Sequence, residues 1–225
     1  MRPLALITGA NRGIGFETAR QLAAKGFEVL LGARDAEAGE AAAAELDAAW
    51  LPLDVADPGS VREAADWVRA EHGRLEVLVN NAGVLLGEDR GVLDFQEAEI
   101  LATLQVNLLG AWRVAAAFAP LMAQGGRIVN ISSGAGQLSS MGTYAPAYAV
   151  SKAALNALTV QLAKSLAPKG IAVNAVCPGW VKTRMGGSGA PKSLEDGADT
   201  PVWLAAEAPA ALTGKFFRDR REIPW

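Results

Sequence analysis

Cysteine and histidine, the residues that most often build disulfides and metal sites, are almost absent from this chain of 225 residues. Cys177 is the only cysteine, which excludes an internal disulfide and a multi-cysteine metal site. His72 is the only histidine, so a Ser-His-Asp triad has a single candidate base. Its setting, Glu71-His72-Gly73, is typical of a cation at the end of a helix. We therefore expect no metal site and a chemistry that other residue types carry.

A surplus of either charge is also missing. The chain has 21 Lys and Arg against 24 Asp and Glu, and no basic run forms a stripe that would follow a phosphate backbone. The apolar part of residues 1–10 is too short for a signal peptide, and we expect no later run to span a bilayer. The sequence thus predicts a cytoplasmic protein with no nucleic-acid and no membrane partner.

Short β-type runs alternate with longer amphipathic stretches along the whole chain, with no linker or repeat between them. Such alternation is typical of a parallel sheet with helices on both faces. The sequence predicts an α/β fold, a single Rossmann-type doubly wound domain over residues 1–225 with a seven-stranded parallel sheet. The predicted strands are 4–8, 28–32, 50–53, 77–80, 127–131, 172–176 and 215–217, and the predicted helices are 14–25, 36–48, 58–71, 95–122, 148–167 and 193–205.

A glycine-rich turn, Thr8 to Gly15 (TGANRGIG), follows the first predicted strand directly and leads at once into a helical pattern. Glycines there let the chain bend tightly and bring backbone N–H groups and a helix N-terminus close to a pyrophosphate. Glycine-rich turns after strands are common, so this turn alone is weak evidence for dinucleotide binding, and the motifs that follow it along the chain must support the prediction. The dinucleotide-binding residues predicted here are Gly9, Asn11, Arg12, Gly13, Ile14 and Gly15.

Further short motifs follow in a fixed order: Asp54-Val55, Asn80 to Gly83 (NNAG), Asn107, Ser133, Tyr148 with Lys152 (YxxxK), and Pro178-Gly179. Any one of them has a structural explanation, such as Asp54 capping a loop or NNAG forming a turn. Together with the TGxxxGxG turn they make the chain resemble the short-chain dehydrogenase/reductase family over nearly its whole length. The resemblance implies that Asp54 and Val55 meet the adenine, that Asn80, Ala82 and Gly83 lie on the ribose side, and that Pro178, Gly179, Val181 and Thr183 lie at the nicotinamide.

Tyr148 and Lys152 are four residues apart on a predicted helix, so their side chains project from one face. A phenol has a pKa of about 10, and a nearby ammonium is expected to lower that pKa toward neutrality. By resemblance, Tyr148 exchanges a proton with the substrate oxygen, Ser133 binds that oxygen, and Asn107 holds a water that links Lys152 to solvent. Lys152, and Tyr148 with it, is also expected at the nicotinamide ribose. Of two adjacent serines, Ser133 is chosen over Ser132 because the family motif ends on the second. The segment from Ser133 to Tyr148 is about two residues longer than is usual in the family.

The end of the second strand indicates which cofactor is used. An NAD enzyme of this kind usually has an acidic residue there, whereas this chain has Ala33 followed by Arg34. Arg34 and Arg12 are suited to a 2′-phosphate, so the sequence predicts NADP(H). The alternative is that Arg34 and Asp35 form only a solvated ion pair.

The segment Cys177 to Thr183 (CPGWVKT) resembles the carbonyl-reductase branch of the family. The next residue is Arg184, where members of that branch commonly have an aspartate. The large insertion that animal members carry before the catalytic tyrosine is almost absent, so their monomeric state does not transfer. We expect an NADPH-dependent reduction of a small aldehyde or ketone, reversible to the alcohol. Alternatives are a 3-oxoacyl thioester reductase and an NADP-binding sensor without turnover. The substrate is expected to meet a mostly apolar border of Leu85, Leu86, Leu138, Met141, Tyr144, Trp180 and Met185.

Two helical regions have more apolar residues than one sheet covers, which predicts a homodimer or homotetramer. These residues are Ala153, Ala154, Ala157, Leu158 and Val160 in one region, and Leu108, Leu109, Ala111, Trp112, Ala115, Ala116 and Phe118 in the other. The alternative is that alanine only raises helix propensity on a solvated face. Residues 184–192, rich in glycine, are predicted to be the most mobile part of the chain.

Overall fold

A computed structural model describes residues 2–87 and 89–225 of the chain, in which one sheet lies between two layers of helices. The strands have the order β3-β2-β1-β4-β5-β6-β7-β8, and all neighbours are parallel except β7 and β8. The strands are β1 (Leu4–Thr8), β2 (Glu28–Ala33), β3 (Ala49–Pro52), β4 (Leu75–Asn80), β5 (Met122–Ile131), β6 (Ala172–Val176), β7 (Phe216–Arg218) and β8 (Arg221–Ile223). The α-helices are α1 (Gly13–Ala24), α2 (Ala36–Glu45), α3 (Pro58–Glu71), α4 (Glu97–Leu104), α5 (Ala111–Phe118), α6 (Pro146–Leu166) and α7 (Leu194–Ala206).

The sequence prediction of seven strands is wrong by one, because the described chain forms eight. The strand that was missed, β8, is three residues long and pairs antiparallel with β7. Its two-residue turn is Asp219-Arg220, and both residues have positive φ, 52° and 56°. Turns of this geometry usually carry Asn-Gly or Asp-Gly, so the sequence here contains no hairpin signal.

The predicted helix 95–122 is also divided. A π-helical segment, Gln105–Gly110, separates α4 from α5, and β5 begins at Met122, five residues earlier than predicted. By length and composition alone, Glu97–Phe118 would be long and apolar enough to cross a membrane, contrary to the expectation that no such run exists. In this fold the π segment packs against α6 and buries Asn107. The cytoplasmic location stays a prediction.

The core lies on both faces of the sheet. All five side chains of β1 are buried, as expected for a central parallel strand covered on both sides. Leu6 packs on one face with Val61 and Phe118, and Ile7 packs on the other with Leu22 and Val202. The strand order reverses between β1 and β4, and this reversal opens a crevice at the carboxyl edge of the sheet, where open α/β sheets bind ligands.

Candidate active site

The glycine turn after β1 is fixed to the end of β4 by hydrogen bonds. The Thr8 hydroxyl accepts from the backbone N–H groups of Asn81 and Ala82, both at 3.0 Å. The Asn81 side-chain amide donates to the carbonyl oxygens of Thr8, at 2.9 Å, and Gly9, at 3.0 Å. This contact between Thr8 of the glycine turn and Asn81 of the NNAG motif was not predicted from the sequence, and it holds the turn in place.

Two glycines in the turn have no space for a side chain. Gly9 has a φ of +63°, and a Cβ added to it would lie 2.9 Å from Ala82 Cα. A Cβ at Gly15 would lie 2.3 Å from Asn81 Nδ2. Helix α1 begins at Gly13, and no side chain caps its first N–H groups. Asn11, Arg12 and Ile14 flank these groups, and the arrangement fits a phosphate at the helix N-terminus.

Tyr148 and Lys152 lie on one face of α6 at the mouth of the crevice. Lys152 Nζ is 5.5 Å from the centroid of the Tyr148 ring and donates to the Ile131 carbonyl at 2.8 Å. The Tyr148 hydroxyl is hydrogen-bonded to the Ser133 side chain. The Ser132 hydroxyl instead donates to Asn156 Oδ1 at 2.6 Å. The structure thus brings Ser133, rather than Ser132, to the tyrosine.

Asn107 lies in the π-helical segment and is 1% exposed. Its side-chain oxygen accepts from Val84 N at 2.8 Å, and its amide donates to Ser151 Oγ at 3.0 Å. The Asn107 oxygen and Lys152 Nζ both lie next to Gly83, within 3.4 and 3.5 Å of a Cβ placed there. An irregular helical turn of this kind often occurs at functional sites, and here it places Asn107 beside the lysine.

The comparisons with known proteins agree with this geometry. A family model described as short chain dehydrogenase matches residues 3–193. This chain belongs to the short-chain dehydrogenase family. It is 34% identical to carbonyl reductase (NADPH) 1 of Mus musculus over 275 aligned positions, covering 100% of this chain and 99% of that protein. It is 36% identical to (+)-neomenthol dehydrogenase of Arabidopsis thaliana, covering 97% of this chain and 96% of that protein. A crystal structure of a short chain dehydrogenase from Burkholderia cenocepacia in complex with NADP has a TM-score of 0.86 and 32% identity, covering 95% of this chain and 94% of that one.

The pKa values of Tyr148 and Lys152 in this short-chain dehydrogenase differ from the sequence prediction. Burial raises the pKa of Tyr148 to about 12, and the hydrogen bond with Ser133 offsets only part of that rise. Burial lowers the pKa of Lys152 to about 8. Desolvation disfavours the charged form of each group, so the expected lowering of the tyrosine pKa by the ammonium does not prevail.

An open depression at the carboxyl ends of β2 and β3 is lined by Arg34, Asp54, Ser60 and neighbouring residues. The alternative for Arg34, an ion pair with Asp35, is absent among the described residues, and Asp35 instead caps α2 by accepting from Ala38 N at 2.9 Å. Arg34 and Arg12 are both exposed and have no acidic partner within the described ranges. They remain available for an anionic group.

Three residues predicted to bind cofactor have structural roles. Asp54 Oδ1 accepts from Ala56 N at 2.9 Å, which is the loop-capping alternative for this residue. The Val55 side chain is buried against Gly110, whose added Cβ would lie 2.7 Å from it. The Asn80 side-chain amide donates to Asn130 Oδ1 at 2.9 Å inside the core. The side chains of Asp54, Val55 and Asn80 therefore stabilise the loops and the core near the carboxyl edge of the sheet, and their contact with the cofactor stays a prediction.

The loop after β6 closes the other side of the crevice. Gly179 has a φ of +87°, and Val181 pairs with Lys192 across the loop. Thr183 lies opposite the glycine turn, with its methyl group 3.7 Å from a Cβ placed at Gly13. Thr183 therefore faces the start of α1.

The mobility of residues 184–192 stays a prediction, although the structure shows contacts at both ends of this segment. Trp180 Nε1 donates to the Gly186 carbonyl at 2.8 Å, and Ala190 is 2% exposed. Of the residues predicted to border the substrate, Leu86, Leu138, Tyr144, Trp180 and Met185 are exposed. The substrate border itself stays a prediction.

Sequence analysis missed two side chains next to Ser133. Asn156 accepts from Ser132 and donates to the Gly136 carbonyl at 3.1 Å, so it holds both sides of the serine loop. Asn156 could have been predicted from its position on α6, four residues after Lys152 and on the same helix face. Arg218, at the end of β7, lies against Gly134, and its Nη2 donates to Cys177 Sγ at 3.2 Å. No local motif indicated Arg218.

Proposed function

We propose that this short-chain dehydrogenase reduces an aldehyde or ketone to an alcohol with NADPH, reversibly, with Tyr148 as the general acid and base. One observation carries the proposal: the Tyr148 hydroxyl, hydrogen-bonded to Ser133 and beside Lys152, stands at the carboxyl edge of the sheet where the glycine turn is built. The glycine turn fits a dinucleotide because side chains are excluded at Gly9 and Gly15 and the start of α1 is uncapped.

Ser133, Tyr148 and Lys152 each have a separate role in the proposed reduction. NADPH, when bound, supplies the hydride. Ser133 donates a hydrogen bond to the carbonyl oxygen of the substrate and orients it. Tyr148 stays protonated at neutral pH because its pKa is about 12, so it carries the proton that the new alcohol oxygen needs. Lys152, with a pKa of about 8, is mostly charged at pH 7 and stabilises the tyrosinate that forms.

The function is tested by following NADPH oxidation with a simple aromatic aldehyde, a ketone and a 3-oxoacyl thioester. We expect turnover of the aldehyde or ketone with kcat/KM at least about tenfold above that for the thioester, because the residues predicted to border the substrate are mostly apolar and exposed. The relatives named carbonyl reductase (NADPH) favour the same outcome. Binding of NADPH without turnover of any of the three would make the chain a sensor and refute the proposal.

The cofactor preference is expected to depend on Arg34. We propose that Arg34 and Arg12 bind the 2′-phosphate of NADPH, since neither has an acidic partner among residues 2–87 and 89–225. Arg34→Asp should lower the NADPH-to-NADH ratio of kcat/KM by about tenfold or more, because charge-assisted hydrogen bonds contribute about 1.5–3 kcal/mol. Arg62→Asp, an exposed change on α3, is the control. An unchanged ratio in Arg34→Asp would refute this role.

We also propose that the chain forms a homodimer through the exposed sides of α4, α5 and α6. Part of the predicted apolar surplus packs within the chain: Ala111, Leu155 and Leu158 form one buried cluster, and Ala115 and Phe118 are fully buried. Other apolar residues of these helices stay exposed, and they support a surface that binds a second copy of the chain. They are Leu101, Leu109, Trp112, Ala116, Val150 and Ala157.

Light scattering at micromolar concentration tests this face. We expect the mass of a dimer, and a shift toward the monomer in Trp112→Glu, because a charge at a buried interface position is costly. Trp67→Glu alters another exposed tryptophan, on α3, and is the control. A monomeric wild-type protein would show that the alanines only raise helix propensity.

The alignment with the mouse relative is about fifty positions longer than this chain, so that protein has additional sequence that this chain lacks.

We further propose that residues 1–225 act as one domain, because the described strands join a single sheet.

A further inference from the structure

Arg218 brings a positive charge to the edge of the sheet where catalysis is proposed. It is the last residue of β7, Cys177 comes directly after β6, and Ser133 comes after β5; β5, β6 and β7 are parallel, so these three residues lie at one edge of the sheet. Its Nη2 donates to Cys177 Sγ, and the same sulfur accepts from Gly134 N at 3.1 Å. Gly134 directly follows Ser133, and a Cβ added there would lie 2.3 Å from Arg218 Nη2. The guanidinium is therefore packed against the serine loop.

The charge on Arg218 is not neutralised within the described chain. The next two residues have acidic or basic partners of their own: Asp219 pairs with Lys192, and Arg220 pairs with Asp199 and Glu207. Arg218 has no carboxylate partner among residues 2–87 and 89–225, and its Nε is buried without a hydrogen-bond acceptor. A buried donor without a partner is unfavourable, and a ligand that supplied an acceptor would remove that cost.

The hairpin holds Arg218 in this place. Arg218 pairs with Arg221 across the turn, and the Arg220 N–H donates to Thr200 Oγ1 at 3.1 Å. The left-handed conformation of Asp219 and Arg220 is unfavourable for residues with a side chain, and their ion pairs to the loop after β6 and to α7 help to maintain it. The guanidinium is thus preorganised, which reduces the entropy lost when it binds an anion.

We propose that Arg218 is a specificity-determining residue that binds a carboxylate on the substrate. The preferred substrate class is an aldehyde or ketone with an apolar body and a carboxylate. The apolar rim would contact the body, and the guanidinium would form a bidentate pair with the carboxylate. This inference rests on the proposed carbonyl reduction and narrows its substrate class.

The test compares 4-formylbenzoate with its methyl ester, which differ in charge at one end. Wild type should favour the acid in kcat/KM by about tenfold or more, because a hydrogen-bonded charge pair contributes about 1.5–3 kcal/mol. Arg218→Leu should remove that preference, mainly through a higher KM for the acid, and Arg218→Lys should keep part of it. Arg221→Leu is the matched control in the same hairpin and should leave the acid-to-ester ratio unchanged.

Two outcomes would overturn the inference while leaving carbonyl reduction intact. One is a wild-type enzyme that favours the ester. The other is an acid-to-ester ratio that stays the same in Arg218→Leu. If neither compound is reduced, the proposed function fails, and calorimetry with benzoate and benzamide on the NADPH complex decides the anion site separately. Benzoate binding that Arg218→Leu abolishes would support the site, and equal binding of benzoate and benzamide would refute it.

Discussion

Tyr148→Phe is expected to lower kcat for carbonyl reduction by about a hundredfold or more while NADPH still binds with nearly its normal affinity. The substitution removes only the hydroxyl that carries the proton, and a general acid of this kind contributes about 10²–10⁴ in rate. The ring stays against Lys152, so the packing of α6 is unchanged. Single-turnover kinetics and NADPH fluorescence measure the two effects separately.

Tyr144→Phe is the comparison that decides between the two tyrosines of the chain. Tyr144 lies four residues earlier, is 57% exposed and has no lysine four residues after it. The loss in Tyr148→Phe should exceed the loss in Tyr144→Phe by a wide margin. A Tyr148→Phe enzyme with more than about a tenth of the wild-type rate, or the reverse order of the two losses, would contradict the mechanism.

Gly136→Ala is expected to damage both stability and catalysis. A Cβ at this position would lie 2.6 Å from the carbonyl carbon of Lys152, 2.7 Å from the backbone nitrogen of Ala153 and 2.7 Å from Lys152 Cβ. All three atoms belong to the helix itself, so the serine loop must move away from α6. Such overpacking costs about 1–3 kcal/mol in the free energy of unfolding. A displacement of about 1 Å between Ser133 and Tyr148 should cost about a hundredfold in kcat.

Gly142→Ala is the matched control, because Gly142 lies in the same segment before Tyr148 and has no atom within 4 Å of an added Cβ. Urea unfolding and kcat should be close to wild type in this variant. If Gly136→Ala behaved like Gly142→Ala in both measurements, the tight contact between the serine loop and α6 would be disproved.

The sequence predicted the parts of the site that depend on local spacing. Helix α3 begins and ends where Pro58 and Glu71 predicted, and the four-residue spacing of Tyr148 and Lys152 places both on one face of α6. These features depend on residues that are close in the chain. The other site residues, from the glycine turn to Pro178, were predicted from the family resemblance.

The missed features depend on contacts between distant parts of the chain. Arg218 meets Cys177 and Gly134 only after β7 pairs with β6, and Asn81 meets Gly9 only after β4 pairs with β1. The pKa of Tyr148 follows from burial under several segments, which the spacing to Lys152 does not show. The π-helical segment around Asn107 lacks a proline or glycine signal at its start, so its apolar pattern resembled one long helix.

The two outer strands of the sheet also restrict how copies of the chain associate. Strand β8 offers three residues of open backbone, with Arg221 and Glu222 exposed, and β3 at the opposite edge has four residues, of which Pro52 has no N–H to donate. Short, charged or proline-bearing edges are poor templates for a further strand. A continuous sheet across two subunits is therefore disfavoured, and each subunit keeps its hydrogen-bonding network closed.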